Sequence, residues 1–392
     1  MQQSKNIVDT GLRGVPVAST RISYVGGEQG RLLYRGYRIE ALAEGASYEE
    51  VAHLLLRDRL PDFAELEDMW AALARERTLP DRVLQALWVL PGESEPMEVL
   101  QAAVPLLAYG DDDLKDSSRE ASRRIGTRLV ARLPVLVAAW HRIRRGLDPV
   151  EPDPELRQAA NLLYMLNGQR PDVESARDLD TCLTLHAEHS LNASTFAARE
   201  VCSTRAHMYA AVAAAVGSLS GELHGGANAR VMRMLQEIGS KERIEEYVRG
   251  TLDGGGKIMG MGHAVYRTMD PRARILAPIS RRLGERSGNP GWYELSAELE
   301  EQTREYFRQQ KGREIYPNVD FYSATVYSYL GIPVDLFTPV FAASRVAGWA
   351  AHVIEERHAE AAETALYRPS SEYVGDYCGP QECAFVPLER RK

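Results

Sequence analysis

The chain is poor in lysine, in cysteine and in unbroken apolar stretches. Lysine occurs only at Lys5, Lys115, Lys241, Lys257, Lys311 and Lys392, so 41 of the 47 basic residues are arginine. Against them stand 55 acidic residues, for a formal net charge of −8. That balance excludes a nucleic-acid binder, which needs a basic face to neutralise phosphates. Four cysteines in 392 residues, none in a C-x-x-C pair, build no disulfide framework and point to a reduced, cytoplasmic protein. The opening MQQSKNIVDTGLRG lacks the apolar core of a signal peptide. The longest strongly apolar run, Met208 to Val216, is far short of the roughly 18 residues that span a bilayer. The expectation is a protein with no membrane partner.

What is present is helix. Ser47-Tyr-Glu-Glu50 is a capping box followed by Val51, Leu54 and Leu55, and Pro61 stops the run. Asp62 caps the next segment, where Phe63, Leu66, Met69, Trp70 and Leu73 recur at helical spacing as far as Pro80. Asp81 opens a further helix that ends at Pro91. Asn167-Gly168 closes one over Glu155 to Leu166. Ala206 to Val216 is apolar on all sides and predicts a buried helix. Later helices are expected at 228–238, 241–252, 271–284, 294–310, 322–330 and 339–361. Strand signals reduce to RISYV, GGEQG and RLLYR, one small hairpin near residues 21–35. The fold class is therefore all-α with a minor N-terminal β-hairpin.

Glycine and polar residues concentrate at 218–228, 253–263 and 311–323, the loops where function is expected. GGGKIMGMGH is not a P-loop, because Ile258 follows Lys257, and Gly260-Met-Gly262 lacks the third glycine of a dinucleotide fingerprint. HAEH, with His186 and His189, has no supporting metal-ligand spacing, so no metal is expected. LHGGAN puts His224 in a glycine turn just before a helix, where the dipole favours a neutral imidazole. GMGHAVYRTMDPRARIL sets His263 after another glycine turn, with Arg267 and Arg272 as possible anion holders. YPNVDFYS places Asp320 between Val319 and Phe321, where desolvation raises its basicity. FAASRVAGWAAH carries Arg345 on a largely apolar helix, where a charge wants an anionic partner. Each has a plainer reading: a surface histidine, an N-cap aspartate, solvated arginines. Together they suggest enol chemistry on an anionic substrate.

Seven motifs then fall in one order. GLRGVPVASTRISYVGGEQGRLLYRGYRIEALAEGASYEEVAHLLL, HAEHSLNASTF, GELHGGAN, KIMGMGHAVYRTMDPRA, YPNVDFYS, FAASRVAGWAAH and RPSSEYVG run from Gly11 toward the C-terminal VPLERR. In this the chain resembles the citrate synthase family, in its short bacterial and archaeal form. The resemblance implies a large helical domain from residues 1–225 and 326–392, holding the dimer contact and the oxaloacetate site. A small domain, 226–325, would be inserted in it for CoA and the catalytic base. Asp320 would take the α-proton of acetyl-CoA, His224 would donate to the thioester oxygen, and His263 would protonate the ketone of oxaloacetate. His189, Asn192, Arg272 and Arg345 would hold oxaloacetate, with Arg368 supplied across a homodimer. CoA would lie along Ile258, Met259, Gly260 and Gly262, its phosphates near Arg267, Lys311 and Arg313. No permanently bound cofactor is implied; acetyl-CoA is a substrate and CoA a product. Ala324 stands where the family often has glycine after FYS, an extra methyl that could reshape the acyl pocket. That leaves 2-methylcitrate synthase with propionyl-CoA, or dual acyl use, as an alternative. A non-catalytic acyl-CoA-binding scaffold is the alternative of another class.

Overall fold

The computed structural model describes residues 11–12, 14–359, 366–371 and 384–391. Cys378, Cys383 and most of the N-terminal stretch discussed above lie outside the described residues. The chain divides into two units: Met1–Ser19 with Ala365–Lys392, and Thr20–Thr364. In the first, the regular structure among the described residues is a 3-10 turn, Leu388–Arg390. Beside it Arg391 lays its guanidinium over the Phe385 ring at 5.4 Å.

The second unit holds sixteen α-helices and one small sheet among the described residues. No described helix is long and apolar enough to cross a membrane. The Ser47–Glu50 box forms as expected and starts Tyr48–Arg57: Glu50 N–H donates to the serine hydroxyl, and Ser47 N–H donates to the glutamate. Asp62 makes a second such box with Glu65 ahead of Phe63–Glu76. Asp81 opens Asp81–Trp88 as expected, with Pro80 in the cap position. One start differs. The helix expected from Glu155 begins at Gln158, because the Asp153 side chain holds Glu155 N–H in a turn. The apolar run at 208 becomes Met208–Ser220, capped by His207 and buried along its length. Two larger helices escape the periodicity: Arg119–Ile143 and Val173–His186.

The hairpin is part of a three-stranded antiparallel sheet: β1 (Ser23–Gly26), β2 (Arg31–Tyr34) and a two-residue β3 (Tyr37–Arg38). Val25 faces Leu32 in its register. Its first turn lies directly on the loop that carries His263. Arg267 N–H donates to Gly27 O at 3.1 Å, and a Cβ on Gly27 would come within 2.4 Å of Val265 O. Only glycine permits that backbone contact.

The core is built around Phe337–Arg357, which is buried along most of its length. It packs on Arg119–Ile143, Ala193–Ser203 and Met208–Ser220. Residues 226–325 contribute Ala227–Ile238, Ile244–Asp253, Pro271–Arg286, Gly291–Tyr306 and most of Val319–Tyr329. Gly291–Tyr306 runs on into a π-helical turn, Phe307–Lys311.

Candidate active site

Several loop and helix segments meet around a cavity of about 690 Å³. Its lining includes His189, Asn192, His224, Gly262, His263, Arg272, Asp320 and Arg345. Eight of the residues singled out in the sequence, spread over more than 150 positions, are thus brought to one place.

The two proposed acids are held as neutral rings with one nitrogen committed. His263 Nδ1 accepts from Val265 N–H at 2.9 Å and from Tyr266 N–H at 3.2 Å. A nitrogen that accepts twice carries no proton, so Nε2 bears it and is free to donate. His224 has the opposite tautomer. Its Nε2 accepts from Ser194 N–H at 3.2 Å, with the Ser194 hydroxyl 2.8 Å away, which leaves the proton on Nδ1. The hydroxyl also accepts from Trp349 Nε1–H at 3.1 Å, tying the ring to the central helix. Burial pushes both imidazoles down to about 4, aided by Arg345 for His224 and by Arg272 for His263. Desolvation and a neighbouring cation thus favour the neutral ring that was expected of His224. The turn is compact: a Cβ on Gly225 would overlap Leu219 O.

Asp320 is not the N-cap. Asn318 caps Val319–Tyr329 and accepts from Asp320 N–H at 3.0 Å, so Asp320 lies inside the first turn. Its carboxylate makes no hydrogen bond or ion pair among the described residues. Burial raises it to about 6, against the opposing pull of Arg272. Ala324, one turn further on, is fully buried and is not among the cavity-lining residues. Its methyl group packs in the core.

The two arginines are prepared differently. Arg272 is 2% exposed and paired in two-pronged fashion with Asp270, Nε to Oδ1 at 3.0 Å and Nη2 to Oδ2 at 2.8 Å. Arg345 is equally buried, but among the described residues no acid pairs with it. Its Nε donates to His186 O, and its guanidinium lies 4.6 Å from the Phe341 ring centre.

His189 forms an aromatic cluster with His263 and Tyr266, at ring separations of 5.3 and 5.6 Å. The Asn192 amide serves as a helix cap: Oδ1 accepts from Thr195 N–H and Nδ2 donates to Ser190 O. Asn192 therefore lines the cavity with its amide already engaged. His186 bonds Tyr327 through Nδ1 at 2.9 Å. Among the described residues no group of three or more His, Cys, Asp or Glu could hold a metal ion.

A second cavity of about 540 Å³ shares Gly262, His263 and Ala264 with the first. Ile258, Arg267 and Arg313 line it, as does Lys257. Met259, Gly260 and Lys311 line neither cavity. Met259 packs against the core, the Gly260 carbonyl accepts from Asn318 N–H at 2.8 Å, and Lys311 is exposed on the π-helical turn. Arg368 is exposed and belongs to the other unit.

Sequence reasoning missed three residues. Asp270 holds Arg272 and also accepts from Val319 N–H at 3.2 Å, so one carboxylate joins the starts of two helices. Its signal was the Asp-Pro helix start, which says nothing of a partner 49 positions away. Glu188 is fully buried and accepts from Ser23 Oγ–H at 2.8 Å and His352 Nε2–H at 3.0 Å, directly behind His189. Arg230 lines the first cavity.

The family described as "Citrate synthase, C-terminal domain" matches residues 11–370. Citrate synthase of Synechocystis sp. is 44% identical over 100% of this chain and 96% of its own length. The crystal structure of citrate synthase from Pyrobaculum aerophilum superposes with a TM-score of 0.89 at 39% identity, covering 100% of each chain. The ternary complex of citrate synthase from Thermoplasma acidophilum with carboxymethyl coenzyme A and oxaloacetate has a TM-score of 0.88 at 32% identity, over 96% of this chain and 98% of that one.

Proposed function

The chain belongs to the citrate synthase family, and from that premise we propose which of its residues do what. It is an acyltransferase that condenses acetyl-CoA with oxaloacetate, giving citrate and CoA. One observation carries the assignment of roles: a single cavity holds a raised, unpaired carboxylate, two neutral histidines each with one free N–H, and two buried arginines.

In this proposal Arg272 and Arg345 take the two carboxylates of oxaloacetate, and His263 Nε2–H donates to its ketone oxygen. Acetyl-CoA enters through the second cavity, past Ile258 and the shared Gly262. Asp320 removes the α-proton of the thioester. His224 Nδ1–H meets the oxygen as charge develops there. A thioester α-proton is a weak acid, so base and donor must act on it together. A neutral imidazole suits this work, because a hydrogen-bond donor that keeps its proton in the ground state is ready for the oxyanion without a competing charge. The enol carbon then attacks the ketone, the ketone oxygen takes the proton from His263, and water hydrolyses the citryl thioester.

The same proposal includes a homodimer in which Arg368 of one chain serves the oxaloacetate of the other, and an inserted small domain at 226–325. Mixed dimers of Arg368→Ala and His263→Ala chains that recover activity would support the shared site. Acetyl-CoA is the acyl donor; 2-methylcitrate synthases are only more distant relatives.

The test of the roles is Asp320→Asn. It should lower kcat by about 10²–10⁴ while oxaloacetate still binds, as measured by calorimetry. With the carboxyl at about 6, the base is protonated below that pH and ionised above it. The wild-type kcat/KM should therefore rise with pH through that value, and a variant with near-normal turnover would remove Asp320 as the base.

A further inference from the structure

The cavity holds one cation more than a dianion needs. Arg230 lines it together with His224 and Asp320. It sits in the first turn of Ala227–Ile238, where the positive end of the helix dipole disfavours a cation. Residues Arg233 and Met234, its neighbours one turn on, offer no counter-charge. Among the described residues its guanidinium makes no hydrogen bond and no ion pair. It folds back over the glycine turn that carries His224, with Nη1 3.5 Å from where a Cβ on Gly226 would lie. A half-buried charge kept against its local field, without a partner, faces a space that is to receive negative charge.

Resting on the reading above, we infer that Arg230 is the counter-charge for the enolate that develops between Asp320 and His224. Oxaloacetate brings two carboxylates, and Arg272 and Arg345, joined by Arg368 in the proposed dimer, already meet them. The thioester brings no charge of its own to this cavity. When Asp320 takes the α-proton, the C–H electron pair becomes the C=C bond and the carbonyl pair moves onto oxygen, which shares the Nδ1 proton of His224. For that interval the acyl half of the cavity carries charge that the ground state lacks. A cation there stabilises the transition state more than the bound thioester, which is the condition for lowering the barrier.

Arg230 also acts on Asp320, together with the other groups that face it. These are Arg272 and Asp270 from the start of Pro271–Arg286, Arg345 from Phe337–Arg357 and Tyr327 on its own helix. His224 and His263 line the same cavity. Of these, Arg272, Arg345 and Arg230 favour the ionised base.

The experiment compares Arg230→Gln and Arg230→Lys with wild type. Gln should lower kcat about tenfold or more, leave the KM for oxaloacetate within about twofold, and move the acidic limb of kcat/KM upward. Lys, which keeps the charge, should restore most of the rate and return the limb toward wild type. Deuterium exchange into the acetyl-CoA methyl group, with a dicarboxylate present that cannot condense, reads proton abstraction alone and should fall by the same factor as kcat. Wild-type kcat with an unmoved limb overturns the inference. So does a loss confined to the KM for oxaloacetate, which makes Arg230 a third carboxylate clamp. A loss confined to the KM for acetyl-CoA also overturns it, making Arg230 a phosphate contact. Wild-type CoA release in the same assay separates the two readings. If wild type releases CoA and Gln equals it, only the role of Arg230 fails; if wild type releases none, the assigned mechanism itself fails.

Discussion

Arg272 and Arg345 are two buried arginines in one cavity, each 2% exposed, and they are built on opposite plans. Arg272 enters the site with its counter-ion attached. Asp270 grips Nε and Nη2, and that pairing outweighs burial and holds the guanidinium above its ordinary range. Among the described residues Arg345 has no such acid. Burial lowers it to about 10, with the buried carboxylate of Glu188 only partly opposing the shift. The first arginine is a fixed part of the framework. The second is a charge held in reserve, which the proposed function fills with a carboxylate of oxaloacetate. A buried ion is tolerated without a partner only where a ligand completes it.

Replacing each by methionine should pull the two plans apart. The largest effect is expected from Arg272→Met, which leaves Asp270 buried and uncompensated. It should lower unfolding free energy by about 3–5 kcal/mol, measured by denaturant titration, as well as abolish oxaloacetate binding. Arg345→Met should weaken oxaloacetate by about 10²-fold or more. Its stability should stay at or above that of wild type, since an unpaired buried charge has been removed. If the two variants lose the same stability, the contrast is wrong. The smallest effect is one of pH. Arg345 is charged below about 10 and neutral above it. Oxaloacetate affinity should therefore decline as pH rises through 10, and in Arg345→Met that decline should vanish while Arg272 keeps its charge. An alkaline decline that survives the substitution would assign it to another group.

The same contrast marks what the sequence made legible. Local chemistry was readable: the capping box at Ser47 and the cap at Asp62, the glycine turn holding His224 and the one before His263, and the apolar flanks of Asp320 each show their cause within a few residues. Arg345 was expected to want an anionic partner, and among the described residues none pairs with it directly. What stayed hidden depends on distant partners. Arg119–Ile143 is crowded with arginines and interrupted by Pro134, which masks its periodicity. In the structure those charges are met elsewhere, Arg128 by Glu76 and Asp111, and Arg124 by Asp113. Asp270 looked like an ordinary cap because its second task involves Val319. Arg230 was not singled out, because nothing near it in the sequence shows that its helix opens onto the cavity.

The backbone contact between Gly27 and the loop at Val265 sets an order of events for a chain leaving the ribosome. The strands that shape the His263 loop are made early, and the loop some 240 residues later; Tyr48, which donates to Ser344 O, waits longer still. Pairings so far apart close slowly and leave early segments exposed until late ones arrive. A nascent chain can therefore hold a finished N-terminal hairpin yet possess no reaction centre until nearly all of it has been synthesised. The onset of turnover would then serve as a clock for the completion of folding.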